Sequence, residues 1–328
     1  MESELRNQPK ILLVTFIFSY SPRLPLPGET LHGTKFTTTY GGKGANQCVA
    51  ATKLGGNTYM ISRVGDDQWG KQYKEHLKNI GVDVTFTNIT KYATTGVAQI
   101  SVAENGENQI VIVPGANNYL FKSDIELASK LIESADILIG QLETPFETTL
   151  EAFKLNKGIK LLNAAPARTD IDAILPFLQS VFFLLLVKNV KLFFFSNIKI
   201  ALQKLIESGC EIVIITLGEK GAAYLSKNTN ECVHVLCNKV TPVDTTGAGD
   251  AFVGALAKFI VSNKDQPLHQ VIGAACEIAT VSVTKEGTQT SYPQEYSVFD
   301  NQYSYVVISS QLLYGILLRL PAMVQDQP

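Results

Sequence analysis

The sequence lacks a strong charge of either sign. Its 28 basic and 30 acidic side chains leave a formal net charge of −2, so it offers no basic field for nucleic acid. A signal-peptide pattern is also missing, because the first seven residues mix both charges, and we expect no secretory leader. With 45% hydrophobic residues, the 328-residue chain suits one large globular domain, or a domain with an appendage.

Long uninterrupted apolar segments are missing too. Residues 181–195 are very apolar, but Lys188 and Lys191 interrupt them, and they are shorter than the ~20 residues that a bilayer requires. A second apolar stretch, 303–323, contains Arg319. We expect neither stretch to span a membrane. The chain has no internal repeat or low-complexity segment.

Cysteine is sparse and scattered. An odd number of cysteines is typical of a reducing compartment, so we expect a cytoplasmic location, with the nucleus as a second one. Cys232 and Cys237 lack a second ligand pair, and the histidines are dispersed. We therefore interpret both sets as core or surface residues: cysteines 48, 210, 232, 237 and 276, and histidines 32, 76, 234 and 269.

Residues 244–252, Asp-Thr-Thr-Gly-Ala-Gly-Asp-Ala-Phe, are the most informative segment. They follow an extended segment (233–243) and open an apolar helical one (251–261). Two glycines allow a turn that aims N–H groups at one point, and a helix start adds unpaired N–H groups and its dipole. Asp250 would place a base beside this anion site, as phosphoryl transfer requires. The motif alone leaves helix capping by Asp250 equally open.

A second glycine-rich segment, residues 41–47, reads Gly-Gly-Lys-Gly-Ala-Asn-Gln. Gly44 follows Lys43 where a Walker A loop has Ser or Thr, so this is not such a loop. The pattern predicts a loop that feeds a tightly packed helix and approaches a small polyhydroxylated ligand, with Asn46 offering both a donor and an acceptor. In isolation a plain glycine-rich turn would explain it as well.

Together the two segments resemble the two signatures of the PfkB-type sugar kinases, and segment 41–47 with Gln-Leu-Glu at 141–143 favours the ribokinase branch. The resemblance covers roughly residues 22–180 and 205–295. Further matching segments are 27–30, 64–67, 81–82, 95–98, 114–117, 214–218 and 287–293.

The resemblance implies ATP-dependent phosphorylation of D-ribose at O5, giving D-ribose 5-phosphate and ADP. It implies that Asp250 is the catalytic base and that an anion hole is formed by Gly247, Ala248 and Gly249. Besides Asp250, the implied sugar-binding residues are Gly42, Lys43, Gly44, Ala45, Asn46 and Glu143. The implied nucleotide-binding residues are Thr216, Leu217, Gly218, Glu219, Lys220, Gly221, Gly249, Asp250 and Cys276.

The resemblance also implies ions and a partner subunit. Mg²⁺ is expected with ATP, largely through phosphates and water. A monovalent cation, K⁺, would be held by oxygens from Asp244, Thr246, Ser282, Lys285, Gly287 and Ser291. The resemblance further implies a homodimer through a β flap over the sugar, so ATP, ribose and a second copy are the expected partners.

Periodicity predicts an α/β fold, a doubly wound and mostly parallel sheet between helices. The predicted buried strands are 11–18, 137–140, 159–162 and 212–217, and the predicted helices include 73–80, 123–133, 145–155 and 200–207. The partly alternating stretches 31–40 and 95–113 predict a small antiparallel flap, starting near residue 18. We assign residues 1–300 to the kinase domain and 301–328 to a divergent C-terminal tail.

The chain departs from the family pattern at several places. Counting back from Pro22-Arg23-Leu24 puts Phe16 where the family has a sugar-binding Asp. Leu185 and Lys188 stand near the two positions of an Asn-x-x-Glu motif, and Cys276 replaces a polar residue near adenine. These departures leave open a catalytically impaired protein that binds nucleotide or a partner subunit, or a splice or gene-model variant. A nucleoside kinase is a third alternative.

Overall fold

The computed structural model describes residues 14–105, 107–165, 181–186, 195–229, 231–294, 296–299 and 302–308. Its strands are β1 (Val14–Ser21), β2 (Lys35–Gly41), β3 (Ser62–Gly65), β4 (Thr87–Thr90), β5 (Val97–Ala103), β6 (Asn108–Val113), β7 (Ile137–Gln141), β8 (Ile159–Asn163), β9 (Val181–Leu186), β10 (Ile212–Thr216), β11 (Ala222–Ser226), β12 (Cys232–Val235) and β13 (Tyr305–Val307). Its helices are α1 (Lys43–Lys53), α2 (Gln68–Ile80), α3 (Lys122–Leu127), α4 (Ser129–Ser134), α5 (Phe146–Leu155), α6 (Phe195–Glu207), α7 (Ala248–Ser262) and α8 (Leu268–Ser282).

The main sheet contains seven strands in the order β13-β12-β11-β10-β9-β8-β7. β7, β8, β9 and β10 run parallel, and β11, β12 and β13 add antiparallel partners at one side. The predicted strands at 137–140, 159–162 and 212–217 are therefore confirmed. β11 was not predicted, and β12 covers only the first residues of the predicted extended segment 233–243. The side chains of both strands are buried throughout.

The core lies on both faces of this sheet, as a doubly wound fold requires. Alternate residues of β7 face opposite sides, since strand side chains alternate. Ile137 and Ile139 pack with α1, α7 and α8, whereas Leu138 belongs to a second cluster with residues of α3 and α5. The predicted helix 123–133 is two helices, α3 and α4, which meet at Ala128.

The flap is a four-stranded sheet in the order β2-β1-β5-β6. The predicted antiparallel hairpin over 95–113 is confirmed by the pairing of β5 with β6. The prediction of a central-sheet strand at 11–18 was wrong for its described part, because β1 pairs antiparallel with β2 and parallel with β5. The apolar character of this segment fits either sheet, so composition did not identify the partner strands.

Both glycine-rich segments turn directly into helices. The predicted loop within 41–47 does lead into a helix but is shorter than expected, since α1 already begins at Lys43 and Gly42 precedes it with φ 94°. In the second segment α7 begins at Ala248, after Gly247 with φ 79°. Both glycines adopt backbone conformations that other residues rarely tolerate, which allows a strand or loop to enter each helix abruptly.

Residues 302–308, at the start of the predicted tail, pair with the main sheet. β13 lies antiparallel to β12, and Ile308 donates its N–H to the Cys232 oxygen. The rest of the tail, and Lys188 of the apolar stretch 181–195, lie outside the described residues. No helix in the described part of the chain is long and apolar enough to cross a bilayer.

Candidate active site

Close packing of α1 against α7 brings the two glycine-rich segments together. Gly254 on α7 makes this possible, because a Cβ there would lie 2.4 Å from the Gln47 carbonyl oxygen and 2.6 Å from the Ala50 Cβ. The facing residues are small and fully buried, including Ala45, Ala251 and Ala255. Segments about two hundred residues apart in the chain therefore meet with their helix N-termini side by side.

Asp250 lies in the first turn of α7 and is 8% exposed. Asn46 donates from Nδ2 to Asp250 Oδ2 over 2.9 Å, and Gln47 donates from Nε2 to Oδ1 over 2.8 Å. The N-cap interpretation is wrong for Asp250, because the residue before the helix is Gly247 and Asp250 is the third residue of α7. A buried carboxylate supported by two amide donors at a helix N-terminus is suited to accept a proton from a substrate hydroxyl.

The predicted anion hole surrounds the start of α7. Its first residue, Gly247, packs under the 287–292 loop, where the Tyr292 hydroxyl donates to the Gly247 oxygen over 3.1 Å. The Ala248 N–H closes a turn onto Thr245 over 3.3 Å. The segment thus has a fixed shape, and the positive end of the α7 dipole supports negative charge beside Asp250.

Glu143 follows β7 and lies near the N-terminus of α1. Burial raises the pKa of its carboxyl to about 7, while the Lys43 ammonium and a backbone hydrogen bond from Lys43 oppose that rise and Asp250 adds to it. Its Oε2 is buried and has no hydrogen-bond partner among the described residues. A buried carboxylate oxygen without a partner is expected to meet a hydroxyl donor from a ligand.

The predicted cation ligands converge on two neighbouring segments, 243–246 and 282–291. Asp244 accepts from the Thr246 N–H and from the Gly287 N–H, each over 2.9 Å. Ser282 and Ser291 are both 1% exposed, and Val283 accepts from the Val243 N–H. Carbonyl and hydroxyl oxygens dominate this donor set, which suits a hard monovalent cation, and Lys285 would contribute only its carbonyl.

The predicted nucleotide segment, 216–221, follows β10 and forms a short 3-10 turn at Gly218–Lys220. Cys237 binds this turn through its Sγ, 3.1 Å from the Glu219 oxygen, and His234 Nε2 lies 2.7 Å from the Lys220 oxygen. Cys276 on α8 is 6% exposed, and burial raises the pKa of its thiol above the usual range. All five cysteines are free thiols.

Sequence reasoning missed Gln47, Gln141 and Gln289 as parts of this site. Gln141 donates to Gln47 over 2.7 Å, and Gln289 donates to Asn46 over 3.1 Å. Polar side chains inside apolar or glycine-rich runs were the available signal, but they did not indicate which group they would meet. Phe16 lies in β1 opposite Thr39 and Ala98, and Leu185 lies in β9 opposite Ile215.

The fold and the site define a class of protein. A doubly wound sheet, a β flap that runs from β2 directly into α1, and a buried carboxylate at a helix N-terminus are typical of kinases of small hydroxylated molecules. The chain belongs to the pfkB family of carbohydrate kinases, which matches residues 12–295.

Relatives and solved structures agree with this family. A "Ribokinase" of Mus musculus is 40% identical over 291 residues, covering 85% of this chain and 89% of the relative. A ribokinase structure from Thermotoga maritima shares 32% identity with a TM-score of 0.79, covering 88% of this chain and 96% of that one. A structure of Arabidopsis thaliana ribokinase complexed with ribose and ATP has a TM-score of 0.79 at 26% identity, covering 90% and 97%.

Proposed function

We propose that this chain is an ATP-dependent ribose kinase, which phosphorylates D-ribose at O5 to give D-ribose 5-phosphate and ADP. The observation that carries the proposal is the contact of Asn46 and Gln47 with both oxygens of the buried Asp250 carboxylate. This contact joins the two segments that the family resemblance assigns to sugar and phosphate. The relatives named ribokinase, and the plant structure that holds ribose and ATP, support the same substrates.

In the proposed reaction, Asp250 takes the proton from the 5-hydroxyl as that oxygen attacks the γ-phosphorus of ATP in line. The new O5–P bond forms as the bond from phosphorus to the ADP oxygen breaks, and Asp250 later releases the proton to solvent. Backbone N–H groups of Gly247–Gly249 and the α7 dipole offset negative charge that develops on the phosphoryl oxygens. Catalysis is then mainly positioning plus electrostatic stabilisation.

The sugar would lie between the N-terminus of α1 and the end of β7. Gly42–Asn46 supply backbone and amide groups, and the buried Oε2 of Glu143 accepts a hydrogen bond from a sugar hydroxyl.

The 216–221 segment, Gly249 and Cys276 would contact ATP. Mg²⁺ would reach the site with ATP and neutralise phosphate charge. K⁺ would be held by Asp244, Thr246, Ser282, Lys285, Gly287 and Ser291.

We extend the proposal to a homodimer through the flap. β6 is an edge strand of the flap sheet and all six of its residues are exposed, with Val111 63% and Ile112 57% exposed. Unpaired edges with apolar side chains invite pairing with another strand. Sedimentation of the purified chain should show a dimer that Ile112→Lys dissociates and Gln109→Lys leaves intact.

We also propose a cytoplasmic location, with the nucleus as a second one. The five free thiols support it, because reducing compartments keep cysteines in that state. Imaging of a fluorescent fusion would test it, and retention in an oxidising compartment would contradict it.

The activity is tested by ADP release from the purified, folded chain with ribose, Mg²⁺ and K⁺. Ribose-dependent release that Asp250→Ala abolishes is the expected result. Release no faster than with that variant, from protein shown to be folded, would favour the catalytically impaired alternative instead. Adenosine added in competition distinguishes the nucleoside-kinase alternative, since an adenosine kinase would lose ribose-dependent turnover.

A further inference from the structure

Asp250 is the centre of a buried chain of side-chain amides that the proposed reaction does not by itself require. Gln47 and Asn46 contact the carboxylate directly, while Gln141 and Gln289 contact those two residues from behind. All four amide residues are at least 96% buried, with Gln47 at 0% and Gln289 at 4% exposure. Buried amides are costly unless they are paired, so this arrangement has a definite hydrogen-bond pattern.

The direction of each hydrogen bond follows from the carboxylate. An ionised Asp250 only accepts, so Asn46 and Gln47 must both turn their NH₂ groups toward it. Their carbonyl oxygens then face away and need donors. Gln141 Nε2 supplies one at 2.7 Å from Gln47 Oε1, and Gln289 Nε2 supplies the other at 3.1 Å from Asn46 Oδ1. The pattern therefore has one orientation for each amide.

The side-chain amide of Gln289 also has only one orientation. Its Oε1 lies 2.8 Å from His76 Nε2, and its Nε2 also lies 3.0 Å from the Tyr73 hydroxyl oxygen. Because Gln289 Nε2 is committed as a donor, Oε1 must accept, and the proton of neutral His76 is assigned to Nε2. Gln289 is thus fixed by groups on α2 as well as by Asn46 on α1.

The backbone around Gln289 is fixed as well. Lys53 Nζ donates to the Gln289 oxygen over 2.7 Å and to the Tyr292 oxygen over 3.1 Å. Thr288 Oγ1 donates to the Tyr40 oxygen at the end of the flap over 3.2 Å. The 287–292 loop therefore connects the α1 side of the site to Gly247 on the α7 side.

We propose that Gln47 and Gln289 are positioning residues for Asp250, Gln47 by direct contact and Gln289 through Asn46. The proposal rests on the proposed function. Two donors, one on each oxygen, fix the plane of the carboxylate and so its direction toward the substrate hydroxyl. A misplaced base costs turnover rather than nucleotide binding, since a displacement of about 1 Å can cost roughly 10²-fold in rate.

The first test compares Gln47→Met with Gln289→Met. Gln47→Met keeps the length of the side chain but removes the donor, so we expect kcat to fall about 10–100-fold, with the KM for ATP within about two-fold. Gln289→Met should lower kcat less and raise the KM for ribose, because it acts through Asn46. A wild-type kcat in both Met variants would overturn the proposal.

Gln47→Glu adds a signature that a purely structural role would not produce. When the introduced carboxyl is protonated, it can donate its O–H to Asp250 and accept from Gln141, whereas its ionised form repels the Asp250 carboxylate. The ratio of the variant's kcat to that of wild type should therefore rise as the pH falls from 9 to 6. Asp250, Glu143, Lys43, Tyr73 and His76 face this cluster in both proteins, so the ratio removes their contribution to first order. A flat ratio would contradict the proposed positioning role.

Thermal unfolding gives a readout that does not depend on activity. If Gln47 and Asp250 interact, Gln47→Met should lower the melting temperature less in the Asp250→Ala background than in wild type. Asn156→Leu is a matched control, since Asn156 is 3% exposed and donates to the Ile132 and Ala135 oxygens far from Asp250 in the chain. It should lower the melting temperature equally in both backgrounds and leave kcat unchanged.

The two readouts separate the two proposals. If wild type shows no ribose-dependent ADP release, the proposed function fails, and the melting temperatures still decide whether Gln47 and Asp250 are coupled. The other outcome is that wild type is active while the decreases in melting temperature caused by Gln47→Met and Asp250→Ala simply add. In that case the positioning role is overturned and the proposed function stands.

Discussion

The two ends of the candidate site differ in how their residues are held. Around Asp250, the contacts come from buried amides on α1 and from a loop tied to α2 and α7. In β1 and β9, the family resemblance expects an Asp and an Asn, and this chain has Phe16 and Leu185. The polar groups around Asp250 therefore match the resemblance, while the chain differs from it at one position in the flap sheet and at one position in the main sheet.

Packing offers a physical reason why a change in the polar groups around Asp250 would be costly. Asp250 and its partners lie where α1 and α7 meet, so a change there leaves a buried polar group unpaired and affects stability as well as catalysis. The flap strand that carries Phe16 belongs to a small sheet with an exposed edge strand. β1 is nevertheless an inner strand of that sheet and β9 an inner strand of the main sheet, so packing does not explain Phe16 or Leu185.

The largest expected effect removes the base. Asp250→Ala should lower kcat by about 10²–10⁴-fold, the usual contribution of a general base, because the variant has no carboxylate between the amides of Asn46 and Gln47. Steady-state ADP release measures it. Asp265→Ala, which changes an exposed carboxylate just after α7, is the control and should match wild type; equal losses in both variants would contradict the assignment.

The second prediction restores the family residue at the other end. Phe16→Asp should lower the KM for ribose about 10-fold or more, since a hydrogen bond to a charged group contributes roughly 1.5–3 kcal/mol. The control is Ser19→Asp, three residues along the same strand and so on the opposite face. Ribose titrations on folded protein test it, and an unchanged KM would mean that β1 does not contact the sugar.

The third prediction separates backbone strain from contact at the anion loop. Gly247 has φ 79°, and a Cβ there would lie 2.6 Å from the Tyr292 hydroxyl. Gly55 has nearly the same φ, 78°, but a Cβ there meets nothing within 4 Å. Both Ala variants should lose about 1–2 kcal/mol of stability from the left-handed backbone, whereas only Gly247→Ala should also lower kcat, by about 10-fold. Similar kcat losses in both would contradict a role for the loop in catalysis.

The smallest predicted effect is a pH dependence of sugar binding. Because burial raises the pKa of Glu143 to about 7, the ionised form that accepts sugar hydroxyls grows as the pH rises through 7. The kcat/KM for ribose, which reports the free enzyme, should therefore rise several-fold from pH 6 to 8. Glu143→Gln should flatten this rise.

The raised pKa of the Glu143 carboxyl also determines how the stability of the fold changes with pH. A raised carboxyl pKa means that the folded chain binds the proton more tightly than the unfolded chain, so this group stabilises fully below about pH 4.5 and the stabilisation is lost as the pH rises toward 7. Melting curves of wild type and Glu143→Gln across that range should converge at low pH. A wild-type advantage that grows with pH would contradict the raised pKa.

The sequence was sufficient to predict the strands and helices that have strong local signals. The apolar runs of β7, β8 and β10 and the glycines before α1 and α7 identified the sheet and both helix starts to within a few residues. The sheet that contains β1 could not be predicted, because its partners Gly41 and Val97 are distant in sequence and an apolar strand fits either sheet. The hydrogen-bonded side-chain amides around Asp250 could not be predicted for the same reason, since Gln289 and Asn46 meet only after folding.

The most direct test of the account is to identify the product by ³¹P NMR after wild-type protein is incubated with ATP, Mg²⁺, K⁺ and D-ribose. We predict a phosphate monoester on O5 of ribose that accumulates with ADP and is missing with Asp250→Ala. Transfer to another hydroxyl, or a product that forms equally well without Asp250, would contradict it.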